Sequence, residues 1–145
     1  MKYLLACIFI LLTACSTSPP QLKAQLTAVN FLNPNINNRP SPVVVTVLQL
    51  KSPTIFQQTN FFALYNNPIG ILGSDLLDKR EIEVQPNQRL ELQQNLAQET
   101  NFIGVIAAFR NPDRAQWRQL ITVNTGHDAK LQIHLTMQDV YVATR

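Results

Sequence analysis

The chain has little cysteine, glycine and histidine, and each scarcity excludes a class of chemistry. Its two cysteines, Cys7 and Cys15, lie near the start, so the rest of the chain has no disulfide and no thiol nucleophile. Four glycines leave little material for a phosphate-binding loop, and no G-x-S-x-G motif occurs. His127 and His134 lack the further ligands at fixed spacing that a zinc site needs. We therefore expect no cofactor and no metal.

A strong charge of one sign is also missing. The formal net charge is +3, and the basic residues are scattered without interleaved aromatic residues, so nucleic-acid binding is not expected. The densest run of carboxylates, over residues 75–83, alternates with basic and apolar residues. This pattern is typical of a solvated strand face rather than of the paired carboxylates of a glycosidase. A hydrolase stays open as an alternative.

The longest apolar run occupies residues 3–12, directly after Lys2. It is too short for a permanent membrane helix, which needs about 20 apolar residues. Together with the small residues before Cys15, it has the pattern of a cleaved signal peptide. We therefore predict a signal peptide over residues 1–14, cleaved before Cys15.

The last four residues of this region, Leu12-Thr13-Ala14-Cys15, resemble the lipobox of bacterial lipoprotein precursors. The resemblance implies that Cys15 becomes the acylated first residue, carrying chains such as palmitate that hold the protein on a bilayer. Ser16 follows, whereas an aspartate there usually signals retention in the inner membrane. The resemblance thus implies the inner leaflet of the outer membrane, facing the periplasm. An ordinary signal peptide, with Cys15 as a coincidence, is the alternative.

Two further units follow the signal peptide. Residues 15–21 are interpreted as the acylated cysteine and a short linker, since residues 16–21 read STSPPQ. Six residues span at most about 20 Å, so a distant partner must come to the domain. Residues 22–145 are enough for one domain with a sizeable core and too few for two.

The domain is mostly β by pattern, because apolar residues alternate with polar ones. We predict strands over residues 22–28, 43–50, 80–84, 89–92, 102–110, 116–123, 130–136 and 140–143. The turn at residues 85–88 predicts a hairpin, and the turn at 124–127 predicts pairing of the strands beside it. Ser52 as N-cap predicts a short helical excursion, with Thr59 as the cap of a second piece. About seven to eight short strands indicate a mainly β, antiparallel β-sandwich.

Residues 33–42, NPNINNRPSP, form the least apolar loop, with four asparagines and three prolines. We call it the 33–42 loop. Its prolines and its lone apolar residue, Ile36, suit a semi-rigid loop presented to a partner. A plain connector, with Ile36 tucked against the sandwich, explains the same residues.

Several segments together resemble the TssJ (VasD/SciN) family of outer-membrane lipoproteins of bacterial type VI secretion systems. Besides the lipobox, they are LNP at 32–34, RPSPVVV at 39–45, LQLK at 48–51, NFFALY at 60–65, LGSDLL at 72–77, IGVIAAFR at 103–110 and WR at 117–118. They keep the family's order over nearly the whole chain after Cys15. The resemblance implies a transthyretin-like sandwich with a helical insertion and a non-enzymatic role.

The resemblance also implies a partner. Members of the family hold the periplasmic C-terminal region of TssM, which is in complex with TssL, in part through the loop between the first two strands. That loop is the 33–42 loop here, with Asn35, Ile36, Asn37 and Asn38 at its tip as the predicted contacts. The alternative is a periplasmic ligand-binding or pilotin-type lipoprotein, which predicts an apolar pocket lined by residues such as Phe61, Phe62 and Phe109.

Overall fold

The computed structural model describes residues 18–145, in which two four-stranded sheets enclose the main core. The strands are β1 Gln21–Ala28, β2 Val43–Leu50, β3 Leu76–Val84, β4 Arg89–Asn95, β5 Phe102–Ala107, β6 Arg118–Thr122, β7 Ala129–Leu135 and β8 Val140–Thr144. One sheet has the order β4-β1-β7-β8 and the other β3-β2-β5-β6. The predicted signal peptide and the Cys15 acylation site lie outside the described residues.

Alternation of apolar and polar residues determines which side chains enter the core. In β7, residues 129, 131, 133 and 135 are buried and the residues between them are exposed. In β5, by contrast, all residues after Phe102 are buried, as its apolar composition predicts. One face of β5 points to the core, and helices cover the other face.

Three short helices between β2 and β3 form what we call the helical layer. They are α1 Thr54–Gln58, α2 Phe61–Asn66 and α3 Pro68–Leu72, followed by a 3₁₀ turn at Gly73–Asp75. A second apolar cluster lies between the helical layer and the sheet. It consists of Phe56, Phe61, Leu64 and Leu72 from the layer and of Leu48, Leu50 and Ile106 from the sheet. Among residues 18–145, no helix is long and apolar enough to cross a membrane.

The helix caps differ from those predicted. Pro53 is the N-cap of α1, without a side-chain hydrogen bond, and Ser52 lies one residue earlier. Asn60, rather than Thr59, caps α2, since its side chain accepts the Ala63 N–H at 3.0 Å. Thr59 instead ends α1 and donates its hydroxyl proton to the Ile55 carbonyl. Both Asn and Thr can cap a helix, so the sequence left the choice between neighbours open.

Both pairings predicted across short turns are wrong. The turn at residues 85–88 forms, since the Gln88 N–H donates to the Gln85 carbonyl at 3.2 Å. However, it leads from β3 in one sheet to β4 in the other. The turn at residues 124–127 likewise carries the chain from β6 to β7 in the opposite sheet. Five of the six strand pairs are antiparallel, and β1 pairs with β7 in parallel.

Gly104 in β5 allows the helical layer to approach the sheet. A Cβ atom there would lie 2.9 Å from the Phe56 ring and 3.2 Å from Leu50 Cδ1. We expect Gly104→Ala to lower the free energy of unfolding by about 1–3 kcal/mol, because overpacking strains a filled core. Urea denaturation measures the change.

A second substitution supplies the control for Gly104→Ala. Phe56→Leu removes the ring that the new methyl group meets, so the double variant should lose less stability than the two single changes added together. Strict additivity would show that Gly104 and Phe56 do not interact as the structure has them.

Candidate partner-binding loop

The 33–42 loop and the start of β1 lie at opposite ends of the sandwich. β1 begins at Gln21 and ends at Ala28, and the loop connects it to β2. Eight extended residues cover about 25 Å. We call the end where β1 begins the N-terminal end, and the other the loop end. The loop therefore projects away from the point where the predicted tether would enter.

Asn33 fixes the base of the loop. The residue is 5% exposed and adopts a positive φ of 42°, which asparagine tolerates better than most residues. Its Nδ2 donates to the Pro42 carbonyl at 2.8 Å, and its Oδ1 accepts the Arg110 N–H at 2.9 Å. Its own N–H donates to the Met137 carbonyl at 2.9 Å. One side chain thus ties both ends of the loop to the segment after β5.

Ser41 and Arg110 complete this base. The Ser41 hydroxyl donates to the Asn33 carbonyl, and Arg110 Nε donates to Ser41 Oγ at 3.1 Å. The Ser41 N–H donates to the Leu32 carbonyl at 2.9 Å. Ser41 is buried, so its polar groups need these partners. The sequence did not indicate a bracing role for Ser41 or Arg110. Arg110 is 77 positions from Asn33, so no local pattern connects the two.

Asn35 shapes the tip. Its Oδ1 accepts the N–H groups of Asn37 at 2.9 Å and Arg39 at 3.1 Å. The backbone closes the same turn, since the Asn35 N–H donates to the Arg39 carbonyl at 2.9 Å. Asn38 takes a positive φ of 58°. The four predicted contact residues therefore form one compact turn, in which the half-buried Asn35 side chain binds the backbone of Asn37 and Arg39.

Ile36 projects from this turn. Its relative exposure is 101%, so it does not tuck against the sandwich as the connector interpretation expects. Phe31 and Met137 are also partly exposed, and the hydrogen bond between Asn33 and Met137 places their segments side by side. The loop end thus offers one prominent apolar side chain with two further apolar residues nearby.

The residues named for a ligand pocket do not all come together. Phe61 and Phe62 touch edge to face, with ring centroids 5.3 Å apart, whereas Phe109 belongs to a separate apolar cluster, the main core. Phe61 lies beneath the helical layer, and Phe62 is 59% exposed. One hollow, of about 620 Å³, is an open depression on the outer face of β1, β4 and β7. Polar and charged side chains dominate its lining: Lys23, Gln25, Glu91, Gln93, Lys130 and Arg145.

The carboxylates of residues 75–83 do not form an active-site cleft. Glu81 lies on the exposed surface and pairs with Lys79 at 2.9 Å. Asp78 accepts the Lys79 N–H at 2.8 Å and faces Gln49. Within residues 18–145, no three His, Cys, Asp or Glu side chains come together as metal ligands would. The geometry supports a contact surface at the loop end better than it supports a reaction site.

Two sheets, a helical layer on one of them and a braced loop at one end define a transthyretin-like β-sandwich with a helical insertion. The family of type VI secretion lipoproteins described as VasD, EvfM, TssJ and VC_A0113 matches residues 20–138. The chain belongs to this family. A comparison with curated proteins gives no match.

Solved structures give the same fold. The T6SS lipoprotein TssJ1 from Pseudomonas aeruginosa is 30% identical with a TM-score of 0.83, over 88% of this chain and 98% of that one. Lip from Serratia marcescens, described as a membrane bound component of the type VI secretion system, is 24% identical with a TM-score of 0.80, over 88% and 99%. A chain of a structure described as a type VI membrane complex is 22% identical with a TM-score of 0.75, over 87% and 99%.

Proposed function

We propose that this chain is an acylated lipoprotein of the outer membrane's inner leaflet that docks the periplasmic C-terminal region of TssM, itself in complex with TssL. Cys15 carries the acyl chains, and the tip of the 33–42 loop contacts TssM. The role is structural rather than enzymatic. The observation that carries the proposal is the braced loop at the end opposite the start of β1, with Ile36 fully exposed.

The geometry suits a partner that arrives from across the periplasm. A linker of six residues keeps the N-terminal end within about 20 Å of the acylated residue. The loop end lies one strand length from the entry of the tether, where a protein spanning the periplasm can reach it. The membrane-complex description of one structural relative supports a multiprotein setting of this kind.

The tip is preorganised for binding. Because Asn35, Asn33 and Ser41 already hold the loop by hydrogen bonds, little conformational entropy is lost on association. Asn35 positions the turn, while Ile36, Asn37 and Asn38 face the partner. A projecting apolar side chain among polar neighbours is a typical anchor at an interface.

We expect Ile36→Ser to weaken TssM binding by about 10- to 30-fold, the size of a typical anchor residue. Calorimetric titration of the unacylated domain with the periplasmic C-terminal region of TssM measures the change. Because Ile36 makes no core contact, the melting temperature should stay the same. Ile69→Ser is the matched control, since Ile69 is equally apolar and 67% exposed but lies in the helical layer.

The titration separates the remaining possibilities. If the Ile36→Ser domain binds TssM as tightly as the unsubstituted domain does, the docking role stands but its site lies on another surface. Absence of binding by the unsubstituted domain would remove the docking proposal, and a ligand-binding or pilotin-type lipoprotein would then be the better description. A lower melting temperature for Ile36→Ser would show that the loop is structural.

A further inference from the structure

The outer surface of the helical layer carries more exposed apolar side chains than any other part of residues 18–145. Phe62 is 59% exposed and Ile69 67%, and three further residues are exposed beside them. We call this set the helical patch: Ile55, Phe62, Tyr65, Ile69 and Ile71. Exposed apolar side chains concentrated in one layer are typical of a contact with another apolar body.

Phe62 and Tyr65 of the helical patch touch the Phe61 ring, each with ring centroids 5.3 Å apart, yet they stay 59% and 40% exposed. The layer already covers the sheet with a separate set of side chains, which includes Phe56, Leu64 and Leu72. α2 and α3 are therefore apolar on two sides, one against the sheet and one against solvent. Helices with apolar residues all round are normally buried on both sides, so the outer side lacks its cover.

The helical layer starts and ends at the N-terminal end of the sandwich. The Lys51 N–H donates to the Asp75 carbonyl at 2.9 Å, which closes the insertion where β2 ends. Gln49 Nε2, two residues before Lys51, donates to the Asn95 carbonyl at 2.8 Å. The next residue, Leu96, donates its N–H to the Pro20 carbonyl at 2.7 Å. A short chain of contacts therefore links the insertion to the entry of the tether.

The length of the chain before Pro20 indicates what covers the helical patch. Cys15 is five residues before Pro20, and five extended residues reach about 17 Å. An acylated Cys15 thus holds a bilayer within one short linker of the helical layer. Tethering of this kind raises the local concentration of one surface at another and favours even weak contacts.

We propose that the helical patch rests on the same phospholipid bilayer that holds the acyl chains, with its two most exposed side chains, Phe62 and Ile69, at the level of the headgroups and upper acyl chains. The proposal depends on the proposed acylation of Cys15. It gives the domain a second, non-covalent membrane contact, as in interfacial helices. The 33–42 loop stays free for the partner because it lies at the other end.

Fluorescence quenching by brominated lipid tests this contact. The mature acylated protein is reconstituted in vesicles of phosphatidylethanolamine and phosphatidylglycerol, with and without brominated phosphatidylcholine. Ile69→Trp and Phe62→Trp report from the helical patch. Tyr141→Trp is the control, because Tyr141 is 47% exposed on β8, outside the helical layer. The emission of native Trp117 is measured in the unsubstituted protein and subtracted.

We expect brominated lipid to reduce the added emission of Ile69→Trp and shift it to the blue, with no change for Tyr141→Trp. Phe62→Trp supplies the second reading if Ile69→Trp does not fold, as judged by circular dichroism. If the protein binds vesicles but neither patch tryptophan is quenched, the contact between the helical patch and the bilayer is refuted, while the acyl anchor at Cys15 is not. Equal quenching at Tyr141→Trp would also overturn it. Protein that fails to bind vesicles would refute the acylation and with it this proposal.

Discussion

Cys15→Ser is expected to release the protein from the membrane into the soluble periplasmic fraction and to abolish type VI secretion. Serine has no sulfur to carry the diacylglycerol, and each lost methylene removes about 0.8 kcal/mol of membrane binding. The domain itself should stay folded, because the described sandwich begins at Gln21. Fractionation, a secretion assay for the system's own exported protein and a melting curve together measure these effects.

Ser16→Ala is the matched control for Cys15→Ser, since it changes the neighbouring residue and keeps the sulfur. It should leave both fractionation and secretion as they are. If the Cys15→Ser protein is soluble and secretion continues unchanged, then anchoring is not needed for the role we propose.

Asn33→Ala is expected to lower the free energy of unfolding by about 2–4 kcal/mol and to weaken TssM binding. The change leaves the Pro42 carbonyl and the Arg110 N–H without their partners. Both groups are part-buried, so each costs an amount toward the lower end of the about 1–3 kcal/mol of a fully buried unpaired group. Alanine also suits the positive φ at this position less well than asparagine. Urea denaturation and calorimetric titration report the two effects separately.

Asn30→Ala serves as the control for Asn33→Ala, because Asn30 is an exposed asparagine of the same segment. It should alter neither stability nor binding. Asn33→Asp keeps the acceptor for the Arg110 N–H but not the donor to the Pro42 carbonyl, so we expect a loss of stability smaller than that of Asn33→Ala. Stability equal to that of the unsubstituted protein in Asn33→Ala would show that the base of the loop is held in some other way.

The strands could be predicted from sequence, but not all of their partners. The residues of β7 alternate between apolar and polar, and those of β5 are all apolar or small, because of the faces that each strand buries. Such a pattern is visible within a single strand. A short turn can join two paired strands of one sheet, or it can lead from a strand of one sheet to a strand of the other. The residues of the turn do not distinguish these two connections. Val84 and Leu92 point into the same core from opposite sheets, and a hairpin gives the same alternation.

The loop could be located from its asparagines and prolines, whereas its internal support could not. Asn33, Ser41 and Arg110 brace its base, and Arg110 comes from a distant part of the chain. Parallel pairing of β1 with β7 is non-local for the same reason, since it joins Leu22 with Ala129. No local pattern records contacts between positions about a hundred residues apart. The roles of Asn35, Ile36, Asn37, Asn38 and Cys15 remain predictions.

The position of β1 has a mechanical consequence. With the proposed attachments, tension between membrane and partner enters at Gln21 and leaves near Asn33, at the two ends of the same strand. The covalent backbone of β1 then carries the force, and its neighbours β4 and β7 are not peeled away. The other strands lie outside the load path. A substitution such as Gly104→Ala should therefore lower the melting temperature without lowering the force that the protein withstands.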